Sequence, residues 1–194
     1  MSVQIPTTGL KQCVWTLERR QTQQYSRDGS AQSIELGKPF WRVRFEYENM
    51  HDADFRALSA FIARRSNMQL DFFAYRVDRP TPLLSDESAL VTGLSLSGSD
   101  ISLEMNNSDG LSLGDMVAYE AEAGRYVGEV VGVSATFGNT TVVSLEPPAE
   151  TPSGSPGALV VNPYGRFKLE PDSVNLSEPY DIQKRASFTA RQVV

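Results

Sequence analysis

Phe40-Trp41-Arg42-Val43-Arg44-Phe45-Glu46-Tyr47-Glu48 alternates large apolar and charged side chains from Trp41 onward. A β-strand sends successive side chains to opposite faces. Trp41, Val43, Phe45 and Tyr47 therefore share one face, and Arg42, Arg44, Glu46 and Glu48 the other. The first set belongs in a core; the second is wet or meets a partner.

Immediately downstream the apolar period lengthens. Phe55, Leu58, Phe61 and Ile62 fall at helical spacing and form one stripe suited to packing on a sheet. Asp52 can cap the first turn, Asp54 complements the positive helix end, and Arg64 and Arg65 sit near the negative end. Leu70 to Tyr75 returns as a strand, and Asp78-Arg79-Pro80-Thr81-Pro82 is a stiff exit, because each proline fixes φ and removes a donor. Upstream, Gln12 to Arg20 places Cys13, Trp15 and Leu17 at alternating positions, with Val14 breaking the pattern. Arg27-Asp28-Gly29-Ser30 is a hairpin turn by its Asp-Gly pair, and Ser33 to Leu36 is a short strand after it.

From about Leu83 the texture changes to Ser, Gly, Asp and short aliphatics. Strands are expected at Leu90–Leu96, Ile101–Met105, Met116–Tyr119, Tyr126–Val133, Thr140–Leu145 and Ala158–Val161, with turns at Gly98-Ser99-Asp100, Asn106 to Gly110 and Glu122-Ala123-Gly124. Short strands at such close intervals indicate a small barrel or sandwich. Phe167–Leu169, Val174–Leu176 and Ile182–Thr189 then resume the first style. Charge follows the same division. Residues 1–82 carry 12 Lys/Arg and 9 Asp/Glu, residues 83–165 only Arg125 against 11 Asp/Glu, and residues 166–194 carry 5 against 4. The expected fold is mainly β. A β-sandwich with one flanking α-helix is built from 1–82 and 166–194, and a small acidic β-barrel or sandwich, 83–165, is inserted into it.

Whole-chain properties narrow the function. With 40% apolar and 22% charged residues the chain is globular. No apolar run approaches the roughly 20 residues of a membrane-spanning helix. Met1 to Leu10 lacks a basic region followed by an apolar run, so no signal peptide is expected. The single Cys13 excludes an internal disulfide and a multi-cysteine metal site, and reads as an inert core thiol.

The order of these segments resembles the distal tail proteins of long-tailed bacteriophages and phage-like particles. The resemblance is carried by Val14-Trp15-Thr16-Leu17 ahead of Trp41-Arg42-Val43-Arg44-Phe45, and by Asp54-Phe55-Arg56-Ala57-Leu58-Ser59-Ala60-Phe61 ahead of the aromatic strand Leu70 to Tyr75. Downstream it rests on Gly110-Leu111-Ser112-Leu113-Gly114-Asp115-Met116-Val117, Glu146-Pro147-Pro148 and Asn162-Pro163-Tyr164-Gly165-Arg166-Phe167. Each motif is ordinary β-protein chemistry; their order carries the likeness, which covers most of the chain. It implies a structural virion protein, a hexameric ring that joins the tail tube to tail-tip or hub proteins, with DNA only passing through the channel. Such a protein is assembled in the host bacterial cytoplasm and resides in the virion tail. A tail-tube protein is the alternative within that class, and a carbohydrate-binding module the alternative outside it. The latter would need exposed aromatics on the inserted module, where Tyr119, Tyr126 and Phe137 are available.

Chemistry is otherwise thin. Asp100, Glu104, Asp109 and Asp115 fall in turns or at strand edges, and Asn106-Asn107-Ser108-Asp109-Gly110 only faintly echoes a calcium loop. Asn, Asp and Gly are equally what a tight turn requires. No carboxylate pair is framed as in a glycosidase. The only histidine, His51, sits just before the helix in a capping or solvated position, which leaves no His-based triad. No phosphate-binding loop is present, and no enzyme, metal or cofactor is expected. Arg42, Arg44, Arg56, Arg64, Arg65, Arg76 and Arg79 are interleaved with acids, which favours ion pairs between subunits over nucleic-acid binding. The candidate subunit interface is Arg42, Arg44, Glu46 and Glu48.

Overall fold

The computed structural model describes residues 3–66, 70–83, 91–97, 100–105, 111–122, 124–137, 140–153, 158–177 and 184–193. The expected turns at Gly98-Ser99 and Asn106 to Gly110, Asp109 with them, lie outside the described residues. The protein is mainly β with one α-helix among the described residues. In chain order the first elements are β1 (Val3–Gln4), β2 (Leu10–Glu18), β3 (Gln21–Tyr25), β4 (Ala31–Glu35), β5 (Phe40–Met50), α1 (Asp52–Arg65) and β6 (Phe72–Tyr75). Then come β7 (Val91–Ser97), β8 (Asp100–Met105), β9 (Met116–Ala121), β10 (Gly124–Phe137), β11 (Thr140–Glu146) and β12 (Ala158–Leu159). The chain closes with β13 (Tyr164–Leu169), β14 (Asn175–Ser177) and β15 (Lys184–Gln192).

The larger sheet runs β1-β6-β13-β15-β5-β2, with β14 added beside β15. Its pairs are antiparallel except β1 with β6. β5 behaves as its alternation requires: Trp41, Val43, Phe45 and Tyr47 are buried. The strand then outruns the pattern. Asn49 adopts φ 55° beside a register shift opposite β15, and this turns Met50 inward where strict alternation would bury residue 49. Val14, which broke the apolar pattern of β2, points to the exposed outer face.

Helix α1 covers part of the inner face with Phe55, Leu58, Phe61 and Ile62, all buried. Phe61 meets Phe72 edge-on at 5.4 Å, and Phe45 lies 5.1 Å from Phe188. The expectation that Asp52 caps the helix is corrected. His51 is the N-cap, and Asp52 is already helical, its Oδ1 2.9 Å from Lys184 Nζ. No side chain closes the first turn.

The smaller sheet runs β12-β9-β10-β11-β8-β7, wholly antiparallel, and curls until β12 lies against β7. Its interior holds Ile101, Leu103, Val117, Tyr119, Tyr126, Val130, Val143 and Leu145. β9 and the first half of β10 are buried on both faces, since Met116, Ala118 and Val127 join the core of the larger sheet. The second layer over that sheet is therefore made by α1 together with β9 and β10. Gly165 of β13 marks the closest approach: a β-carbon there would collide with Val127.

Candidate functional site

Arg42, Arg44, Glu46 and Glu48 stand on the outer face of β5, where the alternation places them, and each is engaged within its own chain. Arg42 Nη1 donates to Glu18 (2.8 Å) and its Nη2 to Glu170 (2.6 Å), which keeps the guanidinium firmly protonated. Arg44 Nε lies 2.9 Å from Glu46 Oε1, and Lys11 Nζ lies 2.9 Å from Glu48 Oε2. The Lys11 ammonium holds the Glu48 carboxyl below its ordinary range. Exposed pairs of this kind fix side-chain positions more than they add stability. The face is thus an ordered mosaic of both signs.

A second surface was not among the sequence candidates. β3 and β4 pair only with each other, in a ribbon that prolongs β2 and β5 beyond the sheet. From Gln21 to Lys38 every residue except Thr22 is exposed. Tyr25 is 72% exposed, Leu36 67% and Ile34 41%. The tip is formed as Asp28-Gly29 requires: Gly29 takes φ 84° and its N–H donates to Ser26 O at 3.0 Å. Hydrogen bonds from Ser26, and then from Ser30, pull the Asp28 carboxyl down to about 2. The Asp-Gly turn was the available signal for this arm. The polar run Gln21-Thr22-Gln23-Gln24 gave none.

A third group of charges joins the two sheets. Arg19 lies 3.1 Å from Glu146, Lys38 2.8 Å from Glu150, and Arg76 and Arg79 lie 3.2 and 2.9 Å from the two oxygens of Glu129. Every cation comes from the first 82 residues and every acid from the acidic middle. Gln192 adds a neutral bridge, accepting from Trp41 N–H at 3.2 Å and donating to Val127 O at 3.1 Å.

The carboxylates of the smaller sheet are dispersed. Asp115 is buried and accepts from the N–H groups of Ser112 (2.7 Å) and Leu83 (2.9 Å), which is loop-fastening work. Asp100 accepts from Ser144 Oγ at 2.6 Å, and Glu104 is exposed. Among the described residues no three His, Cys, Asp or Glu side chains cluster as a metal site would require. Tyr119 and Tyr126 are buried, their hydroxyls donating to Glu150 O and Pro147 O. Cys13 is partly buried; Trp15 Nε1 donates to its Sγ at 3.1 Å, and desolvation pushes the thiol up to about 12. His51 is exposed at the start of α1. No helix among the described residues is long and apolar enough to cross a membrane. No protein-family model matches the chain, and no curated protein is significantly similar to it.

Proposed function

We propose that this chain is a non-enzymatic structural subunit of a phage-type tail. It forms a closed, hexameric ring at the far end of the tail tube and connects the tube to tip proteins. The observation that carries this reading is the arm of β3 and β4. An isolated two-stranded ribbon is marginal in water, and this one buries none of Tyr25, Ile34 or Leu36 in its own chain. A neighbouring copy supplies the missing surface. One arm per subunit, received at a different surface of the next, is a head-to-tail contact, and a ring is how such contacts close. The order of sequence motifs supports the tail class; the mosaic face of β5 supplies charge that fixes register between copies. DNA passes through the channel and the subunit resides in the virion.

The test is the mass of the assembled protein by analytical ultracentrifugation, with images of negatively stained particles. The full chain is expected as one discrete ring. A variant with Tyr25, Ile34 and Leu36 changed to Ser is expected as a monomer with an unaltered circular dichroism spectrum. Open polymers of the full chain indicate a tube protein instead. A full chain that stays monomeric at all concentrations overturns the reading.

A further inference from the structure

A row of like charges crosses the outer face of the larger sheet near the base of the arm. Lys168 of β13 stands opposite Arg191 of β15, and Arg191 stands opposite Arg42 of β5. Directly opposed residues of an antiparallel pair have β-carbons about 4.5–5.5 Å apart, and like charges so placed work against the sheet. The two outer cations have partners: Arg42 holds Glu18 and Glu170, and Lys168 lies 3.7 Å from Asp71. Arg191, between them, is exposed and ion-pairs with no described residue.

Beside Arg191 lies a cavity of about 280 Å³ lined by Arg20, Lys38, Phe40, Lys168, Arg191 and Gln192. The Arg20 guanidinium is poised 5.5 Å above the Phe40 ring, which steadies it at the rim. Lys38 reaches Glu150 across the seam. The Gln192 side-chain amide is held in place by Trp41 N–H and Val127 O, so it forms a neutral, fixed wall. Among the described residues no carboxylate lines the cavity; acids reach its lining only as partners of Lys38 and Lys168.

We propose that this cavity is a binding site for a phosphate-type oxyanion, held by Arg191 with Lys168 and Arg20. A guanidinium offers paired donors that match two oxygens of such an anion, and a lysine adds a compact charge. A multiply charged anion neutralises several cations at once. A single carboxylate would pair Arg191 alone, whereas a phosphate-type anion can also reach Arg20 and the loosely paired Lys168, 3.7 Å from Asp71. The phosphate could be free in solution or part of a nucleic-acid backbone, and the site stands on the sheet's own charges whatever the chain assembles into.

The experiment is thermal unfolding and calorimetric titration of the full chain with sodium pyrophosphate, against sodium chloride at matched ionic strength. Pyrophosphate is expected to raise the unfolding midpoint saturably, as a ligand of the native state does, and chloride is not. Arg191→Gln separates binding from architecture because its two effects have opposite signs. It raises the midpoint without anion by relieving the row, and it weakens pyrophosphate binding by about tenfold or more. Arg56→Gln, on the exposed side of α1, leaves the response intact. A single-stranded oligonucleotide that displaces pyrophosphate from the same site identifies backbone phosphates as the source; pyrophosphate binding without such competition identifies a free anion. The proposal falls if no saturable shift occurs, if the shift persists in Arg191→Gln, or if that variant is the less stable protein without anion.

Discussion

Gly165 of β13 faces Val127 of β10 so closely that the valine side chain already fills the space a β-carbon at 165 would need. The larger and smaller sheets touch here through backbone on one side and a branched side chain on the other. Val127 is fully buried and cannot swing aside as a long flexible chain would. Gly165→Ala is therefore expected to cost about 1–3 kcal/mol, the usual penalty of overpacking. Urea denaturation measures it. Gly165→Ala combined with Val127→Ala should recover part of the loss, and an unchanged midpoint in the single variant would separate the two sheets.

Phe45 is fully buried between Phe188 and Phe72. Phe45→Ala is expected to cost about 3–5 kcal/mol, as buried Phe truncations do. A loss under about 1 kcal/mol in chemical denaturation would mean that the aromatic cluster repacks around the gap.

Glu129 receives two guanidinium groups from the turn after β6, and the Arg76 side chain is itself largely buried. Glu129→Gln keeps the shape and removes the charge. It should cost about 1.5–3 kcal/mol, the range for hydrogen bonds to charged groups. The same change at exposed Glu104 should stay within about 0.5 kcal/mol. Equal losses at the two positions would show that Glu129 does not join the sheets.

Cys13 gives a reactivity prediction. Desolvation holds its thiol at about 12. Only the thiolate alkylates, so the reactive fraction at pH 8 is on the order of one in ten thousand. Iodoacetamide labelling followed by mass spectrometry should be negligible in the folded protein and rapid in urea. Because the folded value lies above the unfolded one, labelling of the folded chain should climb only as pH approaches 12. Comparable labelling rates with and without urea at pH 8 would place the thiol in water.

The parts of the fold legible in the sequence are those where one residue face does one job. β5 and α1 could be read because Trp41, Val43, Phe45 and Tyr47, and then Phe55, Leu58, Phe61 and Ile62, keep a period that only one element satisfies. β3 left no trace, because a strand that buries nothing has no apolar period; the arm was announced only by Asp28-Gly29 and the short strand read at Ser33 to Leu36. The seam between the sheets was hidden for the opposite reason. Met116-Val117-Ala118-Tyr119 is apolar at every position because both its faces are covered, and an unbroken run names neither neighbour. The outer face of β5 was legible as a face but not as a set of pairs. Arg42 meets Glu18 and Glu170, 24 and 128 residues away in the chain, and only tertiary structure brings those carboxylates to it.

The path of the chain between the sheets has a mechanical consequence. It leaves the larger sheet after β6 and re-enters it at β13, and the two crossings are pinned together where Asn162 N–H donates to Pro80 O. The smaller sheet is a closed detour of the chain path, entered and left at that clasp and packed on the larger sheet through β9 and β10. Tension applied between the β1 and β15 ends of the chain runs through the ladders of β6, β13 and β15 and bypasses the detour entirely. Under load the larger sheet is the spring, and the smaller one rides on it unstretched until the clasp at Pro80 opens.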